Sequence, residues 1–142
     1  MMSCSLKELE QKIVETALKA RELSYVPYSG FAVGAGLLAK DGRIFSGCNV
    51  ENASFGATNC AERTAIFKAV SEGSREFQAI AVAGGTAGKE PDDFCPPCGI
   101  CLQVMAEFCP PEFPVYLVKS SEAVKRMELR ELLPVCFENL KR

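Results

Sequence analysis

Histidine and tryptophan are both missing from the 142 residues. Without histidine, the Ser-His-Asp and Cys-His nucleophile systems, the HExxH metal helix and every Cys-His zinc finger are excluded at once. Any chemistry must run on cysteine, carboxylate, lysine, tyrosine or arginine. Long apolar runs are missing too. Residues 6–23 carry charges throughout, so they are expected neither to direct secretion nor to span a bilayer. A charge excess is the third absence: the formal net charge is -2. That argues against a protein built to hold nucleic acid phosphates or an anionic membrane surface, and no row of aromatics is present to hold a single strand. Repeats, linkers and low-complexity tracts are also lacking, so residues 1–142 are expected to form one domain of ordinary size. With 48% hydrophobic and 24% charged residues, the composition is globular rather than disordered.

Cysteine is what the chain has in quantity, with eight residues. An even count raises the possibility of a disulfide framework. In a chain without a secretion signal, grouped cysteines point instead to metal or redox chemistry in a reducing compartment, so a cytoplasmic location is expected. Cys4, Cys48, Cys95, Cys109 and Cys136 read as packing residues or spare thiols.

Helices and strands alternate along the chain. Ser5 and Glu8 form a capping box, after which Leu6, Leu9, Ile13, Ala17 and Ala20 recur on one helical face. Val26-Pro27-Tyr28-Ser29-Gly30 turns the chain. Phe31, Val33, Ala35 and Leu37 alternate with small residues, the pattern of a strand whose neighbours approach closely. Asp41-Gly42 predicts a two-residue hairpin turn with positive φ favoured at both positions, leading to an antiparallel partner over 44–50. A second helix is expected over 60–72 with Gly73 as its C-terminal cap. A buried strand over 77–83, a Gly/Pro-rich loop over 84–97, a third helix over 98–108 and a strand over 115–118 follow. A short strand or turn and a last short helix near 129–133 complete the chain. Interleaved helices and strands with an opening hairpin predict a layered α/β fold on a mixed sheet.

The chemistry concentrates in Cys60-Ala61-Glu62 and Pro97-Cys98-Gly99-Ile100-Cys101. A Cys-x-x-Cys pair opening a helix places two sulfurs near free backbone N–H groups and the positive end of the dipole, which favours thiolate. A third sulfur from Cys60 would fill three of four tetrahedral positions around zinc and leave one open, as in catalytic sites. Glu62, at a helix start, can reach the same space. On the Cys-x-x-Cys pair alone, a redox dithiol or a structural zinc site completed by Cys95 and Cys109 stays open. Asn49, Glu51 and Asn52 can equally be turn residues, and Phe31 and Phe137 core residues.

These motifs resemble the zinc nucleobase and nucleoside deaminases, whose signature is a His or Cys, an x-Glu and a later Pro-Cys-x-x-Cys. The resemblance extends over nearly the whole chain to the small homotetrameric cytidine deaminases. It is carried by Pro27-Tyr28-Ser29, Phe31-Ala32-Val33-Gly34-Ala35, Gly47-Cys48-Asn49-Val50-Glu51-Asn52-Ala53, Cys60-Ala61-Glu62-Arg63-Thr64-Ala65 and Glu131-Leu132-Leu133-Pro134. It implies a three-layer α/β/α fold with a mixed, mostly five-stranded sheet. It also implies one zinc per chain on Cys60, Cys98 and Cys101, and Glu62 as proton shuttle. Asn49 and Glu51 match the pair that grips the ribose 3′-hydroxyl, and Phe31 an aromatic beside the pyrimidine. Backbone groups at Ala61 and just before Pro97 match those that read the base edge, and Phe137 an aromatic covering a neighbouring subunit's site. Three positions depart from the family pattern: Pro96 replaces a serine, Phe55 a tyrosine and Leu102 an arginine.

The reaction implied is hydrolysis of free cytidine and deoxycytidine. Zinc activates a water, and Glu62 moves its protons to the base and the departing amine. Three thiolates leave Zn²⁺ with excess negative charge, so Arg63, three residues after Cys60, is expected to draw charge back off the sulfurs. A deaminase of a nucleoside-like compound of the blasticidin S type is the sibling reading. A non-catalytic or redox zinc-thiolate module is the alternative of another class.

Overall fold

The computed structural model describes residues 5–137; Cys4 lies outside them. Helix α1 (Leu6–Ala20) opens on the expected capping box, with Glu8 N donating to Ser5 Oγ at 3.1 Å and Ser5 N to Glu8 Oε1 at 3.4 Å. Its inner face is Ile13, Val14, Ala17 and Ala20, while Leu6 stays half exposed. The chain then turns through residues 26–30, closed by Gly30 N on Val26 O at 3.0 Å.

Five strands form one sheet: β1 (Phe31–Ala39), β2 (Ile44–Cys48), β3 (Phe77–Thr86), β4 (Pro114–Val118) and β5 (Val124–Glu128). Their order is β2-β1-β3-β4-β5, antiparallel at every step except the parallel β3–β4 pair. That parallel step is what requires a crossover helix. α3 (Gly99–Phe108) supplies it, while α2 (Ala61–Ser71) links β2 to β3 and the short α4 (Leu129–Leu132) follows β5.

Alternation along the strands separates two cores. On one face α1 packs Ile13, Val14 and Ala17 on Leu38, Ala79, Ala81, Ala83, Tyr116 and Val118. On the other, α2 and α3 cover Ala35, Leu37, Ile80, Val115 and Leu117. The three-layer α/β/α arrangement is therefore present. Close approach is written into the small residues. A Cβ at Gly34 or Gly36 would collide with the carbonyls of Ala17 or Ile13 in α1, and one at Gly47 with the Ala61 carbonyl that begins α2.

Three local readings need correction. The hairpin loop is Lys40-Asp41-Gly42, closed by Ala39 N on Arg43 O at 2.9 Å, and only Gly42 has positive φ, at 94°. A three-residue loop needs a single left-handed residue, and Asp41 instead uses its carboxylate to accept Arg43 N and Nε at 3.0 and 2.9 Å. β2 stops at Cys48 because Val50 leaves the ladder to bridge Tyr25 and Asn59. β3 runs on to Thr86, with Gly84 and Gly85 paired to Val33 and Ala32. Low β-propensity argued against those glycines, but side chains there would strike Cys95, Phe31 and Pro91.

Candidate metal centre

Two helix starts meet above the sheet. Cys60 is the N-cap residue of α2 and its sulfur makes no capping bond, which leaves it free to point away from its own helix. Cys98 is the N-cap residue of α3, and its Sγ accepts Cys101 N at 3.5 Å. Cys101, in the first turn, is fully buried. The three Sγ atoms lie within 4.8 Å of one another, with Cys60 and Cys98 at 3.6 Å. Zinc–sulfur bonds of ~2.3 Å place tetrahedral sulfurs ~3.8 Å apart, so the set is spaced as three corners of a zinc tetrahedron. Neither Cys95 nor Cys109 joins the group, and the described cysteines are free thiols. A four-sulfur structural site is therefore not assembled among the described residues.

Charge at the centre is arranged asymmetrically. Arg63, one turn along α2, donates from Nη2 to Cys60 Sγ at 3.1 Å, while its buried Nε has no partner. Hydrogen bonds from Cys101 and then Arg63 hold the Cys60 thiol well below the ordinary range. Cys101, hydrogen-bonded to Cys60 and desolvated, is pushed up. Glu62 is only 3% exposed. Burial pushes its carboxyl up to about 7, and the Cys60 charge adds to this against its own backbone N–H and Arg63. Asn59 Nδ2 bonds Thr64 Oγ1 at 3.0 Å, and Thr64 Oγ1 in turn bonds Cys60 O at 3.1 Å, fixing the start of the helix.

A second constellation surrounds Phe31, which is 42% exposed. Asn49 binds the β1 main chain on both sides of Ala32: Nδ2 donates to Phe31 O and Oδ1 accepts Val33 N, each at 2.9 Å. Glu51 Oε1 accepts Tyr28 N and Ser29 N at 2.9 and 3.1 Å, and Oε2 accepts the Ser29 hydroxyl. Those donors hold the Glu51 carboxyl below its usual range, the Ser29 hydroxyl contributing most. Tyr28, Ser29, Glu51, Phe55 and Thr58 line a cavity of about 340 Å³. Ala61 is wholly buried, and as the first residue of α2 it has an N–H without an intrahelical acceptor.

Phe137 is not brought to either constellation within the chain. Its carbonyl accepts Gln103 Nε2 at 3.0 Å, the residue is 78% exposed, and it borders a separate cavity of about 410 Å³ behind α3 and α4. Of the three departures, Leu102 is buried in the core under α3, and Phe55 packs edge-on against Tyr28 with ring centres 6.2 Å apart. Two residues near the site were given no role from sequence. They are Ser29, which lies in the Pro27-Tyr28-Ser29 segment, and Cys95, whose sulfur packs toward Gly84 beside the Phe31 ring in keeping with a packing residue.

Three convergent thiols at two helix starts, with a buried carboxylate two residues after the first, match the donor set and carboxylate of the zinc deaminases. Residues 7–117 match the cytidine and deoxycytidylate deaminase zinc-binding region, and the chain belongs to that family. It is 54% identical over 127 residues to the cytidine deaminase of Halalkalibacterium halodurans, covering 89% of this chain and 92% of that protein. It is 50% identical over 127 residues to the cytidine deaminase of Sporosarcina psychrophila, covering 89% and 90%. The 1.6 Å crystal structure of cytidine deaminase from Burkholderia pseudomallei superposes with a TM-score of 0.80 at 48% identity, over 89% of this chain and 97% of that one. Similarity to the blasticidin-S deaminase of Bacillus cereus is lower, 27% identity over 140 residues, 96% of this chain and 98% of that protein.

Proposed function

We propose that the chain hydrolyses cytidine and deoxycytidine to uridine and deoxyuridine with release of ammonia, using one zinc ion per chain. The observation that carries this reading is the trio of sulfurs converging beside buried Glu62. Cys60, Cys98 and Cys101 would hold the metal, which when bound would supply the Lewis acidity that makes water nucleophilic near neutral pH. Glu62 takes a proton from the attacking water and delivers it to N3 of the base. It then helps a proton onto the departing amine, acting as base and acid in turn. Its burial excludes bulk water from both transfers. Arg63 bonds Cys60 and withdraws charge from the sulfurs, a tuning role rather than a substrate contact.

The remaining groups hold the nucleoside. The Ala61 N–H and the carbonyl of Pro96 read the base edge, and Phe31 lies beside the pyrimidine. Hydrogen-bond counting supports the sugar assignment. A carboxylate offers about four acceptor positions and an amide nitrogen two donors. Glu51 has three acceptor positions filled and Asn49 Nδ2 one donor used, so one acceptor and one donor remain. A hydroxyl both donates and accepts, and the ribose 3′-hydroxyl satisfies both. The 2′ position has no assigned partner, which accounts for acceptance of deoxycytidine. A blasticidin-like substrate has no observation in its favour beyond the more distant relative.

The assembly is proposed to be a homotetramer in which Phe137 reaches a neighbouring site, supported by the exposure of Phe137, Val135, Leu23 and Phe55. A cytoplasmic location is proposed because the thiol centre requires reduced cysteines; among the described residues no helix is long and apolar enough to cross a membrane. Ammonia release from cytidine, deoxycytidine and free cytosine tests the reading. Both nucleosides are expected to turn over and cytosine to be poor, since losing the sugar leaves polar groups unpaired. Equal rates on cytosine and cytidine would contradict the ribose assignment.

A further inference from the structure

We infer that Ser29 is a positioning residue for nucleoside discrimination: its hydroxyl aims the one open acceptor position of Glu51 at the sugar and ties it to Phe31. This rests on the proposed binding of the 3′-hydroxyl by Glu51 and adds the residue that makes it selective.

The geometry is a relay through one oxygen. Ser29 Oγ donates to Glu51 Oε2 and accepts Phe31 N at 3.0 Å. Gly30 makes this possible, because its φ of 68° folds the chain back so that a side chain can bond the backbone two residues on. Glu51 Oε1 is saturated by Tyr28 N and Ser29 N. Among the described residues, the acceptor position that Glu51 keeps open is therefore on Oε2, the oxygen that the Ser29 hydroxyl orients. Asn49, which carries the complementary free donor, is anchored to Phe31 O and Val33 N. Phe31 thus has its N–H committed to the Ser29–Glu51 arm and its carbonyl to the Asn49 arm. The base-side aromatic and the sugar grip share one rigid piece of backbone, and Ser29 is the side chain that closes the link to the carboxylate.

Removing the hydroxyl releases Oε2 alone, while Tyr28 N and Ser29 N still hold Oε1, so the loss falls on substrates that use Oε2. A charge-assisted hydrogen bond contributes on the order of tenfold in binding. Steady-state kinetics on cytidine and 3′-deoxycytidine with the zinc-loaded wild type, Ser29→Ala, Ser29→Thr and Glu51→Gln test the inference. For Ser29→Ala, the ratio of kcat/KM for cytidine over 3′-deoxycytidine is expected to fall about tenfold, mainly through KM for cytidine. Ser29→Thr, which keeps the hydroxyl, is expected to restore the ratio. Glu51→Gln is expected to lower the ratio at least as far. An unchanged ratio in Ser29→Ala, with both substrates slowed equally or not at all, would overturn the positioning role while the Glu51→Gln result leaves the sugar assignment standing. A wild type that does not distinguish the two substrates would overturn both together.

Discussion

Cys60 carries two partners on one sulfur, the Arg63 guanidinium at 3.1 Å and the Cys98 sulfur at 3.6 Å, and this crowding organises the site. Zinc binds cysteine sulfur only as thiolate, and in the proposed ligand set removing any one of the three sulfurs leaves two. Cys98→Ala is expected to lose most of its zinc by metal analysis, against about one ion per chain in the wild type; undiminished zinc would remove Cys98 from the ligand set. Arg63→Gln leaves more negative charge on the sulfurs. It is expected to lower kcat more than it raises KM, and to move the acidic limb of the pH–rate profile to higher pH. An unmoved limb with only KM changed would make Arg63 a substrate contact instead. Most of this scale was legible in the sequence. The Cys-x-x-Cys pair at a helix start and Arg63 one turn after Cys60 follow from spacing, whereas the grouping of Cys60 and Glu62 with that pair came through family resemblance. Ser29 was not, because its role depends on the positive φ of Gly30 and on Glu51, twenty-two residues away, which no local pattern records.

The elements place these residues by letting backbones approach. Gly34 and Gly36 seat α1 on β1, and Gly47 seats the first turn of α2, the turn that carries Glu62, on β2. An added methyl in so tight a contact is expected to cost about 1–3 kcal/mol. Gly34→Ala and Gly47→Ala should both lower the denaturant midpoint, but Gly47→Ala should also lower zinc occupancy, because it displaces the Ala61 carbonyl next to Cys60. Unchanged midpoints in both would show that the contacts relax freely. Periodicity made the helices legible, and alternation with small residues identified β1. It failed where glycine was needed for contact rather than for a turn. Gly84 and Gly85 read as loop because their value lies in what Cys95, Phe31 and Pro91 occupy opposite them.

At the scale of the whole molecule, the sheet order β2-β1-β3-β4-β5 depends on pairings between distant segments. A mixed layered sheet could be read from element order and the hairpin, whereas the five-stranded count came through family resemblance. Contacts between chains are a further step that one chain's periodicity does not encode. Sedimentation is expected to give a tetramer at micromolar concentration, and Phe137→Ala to change KM without changing the assembly; a fully active monomer would exclude a shared site. Glu62 joins the metal centre to the turnover of the molecule, and Glu62→Gln breaks that link alone. Zinc content and cytidine turnover are measured together on the same preparation. The variant is expected to retain about one zinc per chain and a normal fold while kcat falls by several orders of magnitude, because both proton transfers are lost. Turnover near that of the wild type, with zinc in place, would contradict the mechanism.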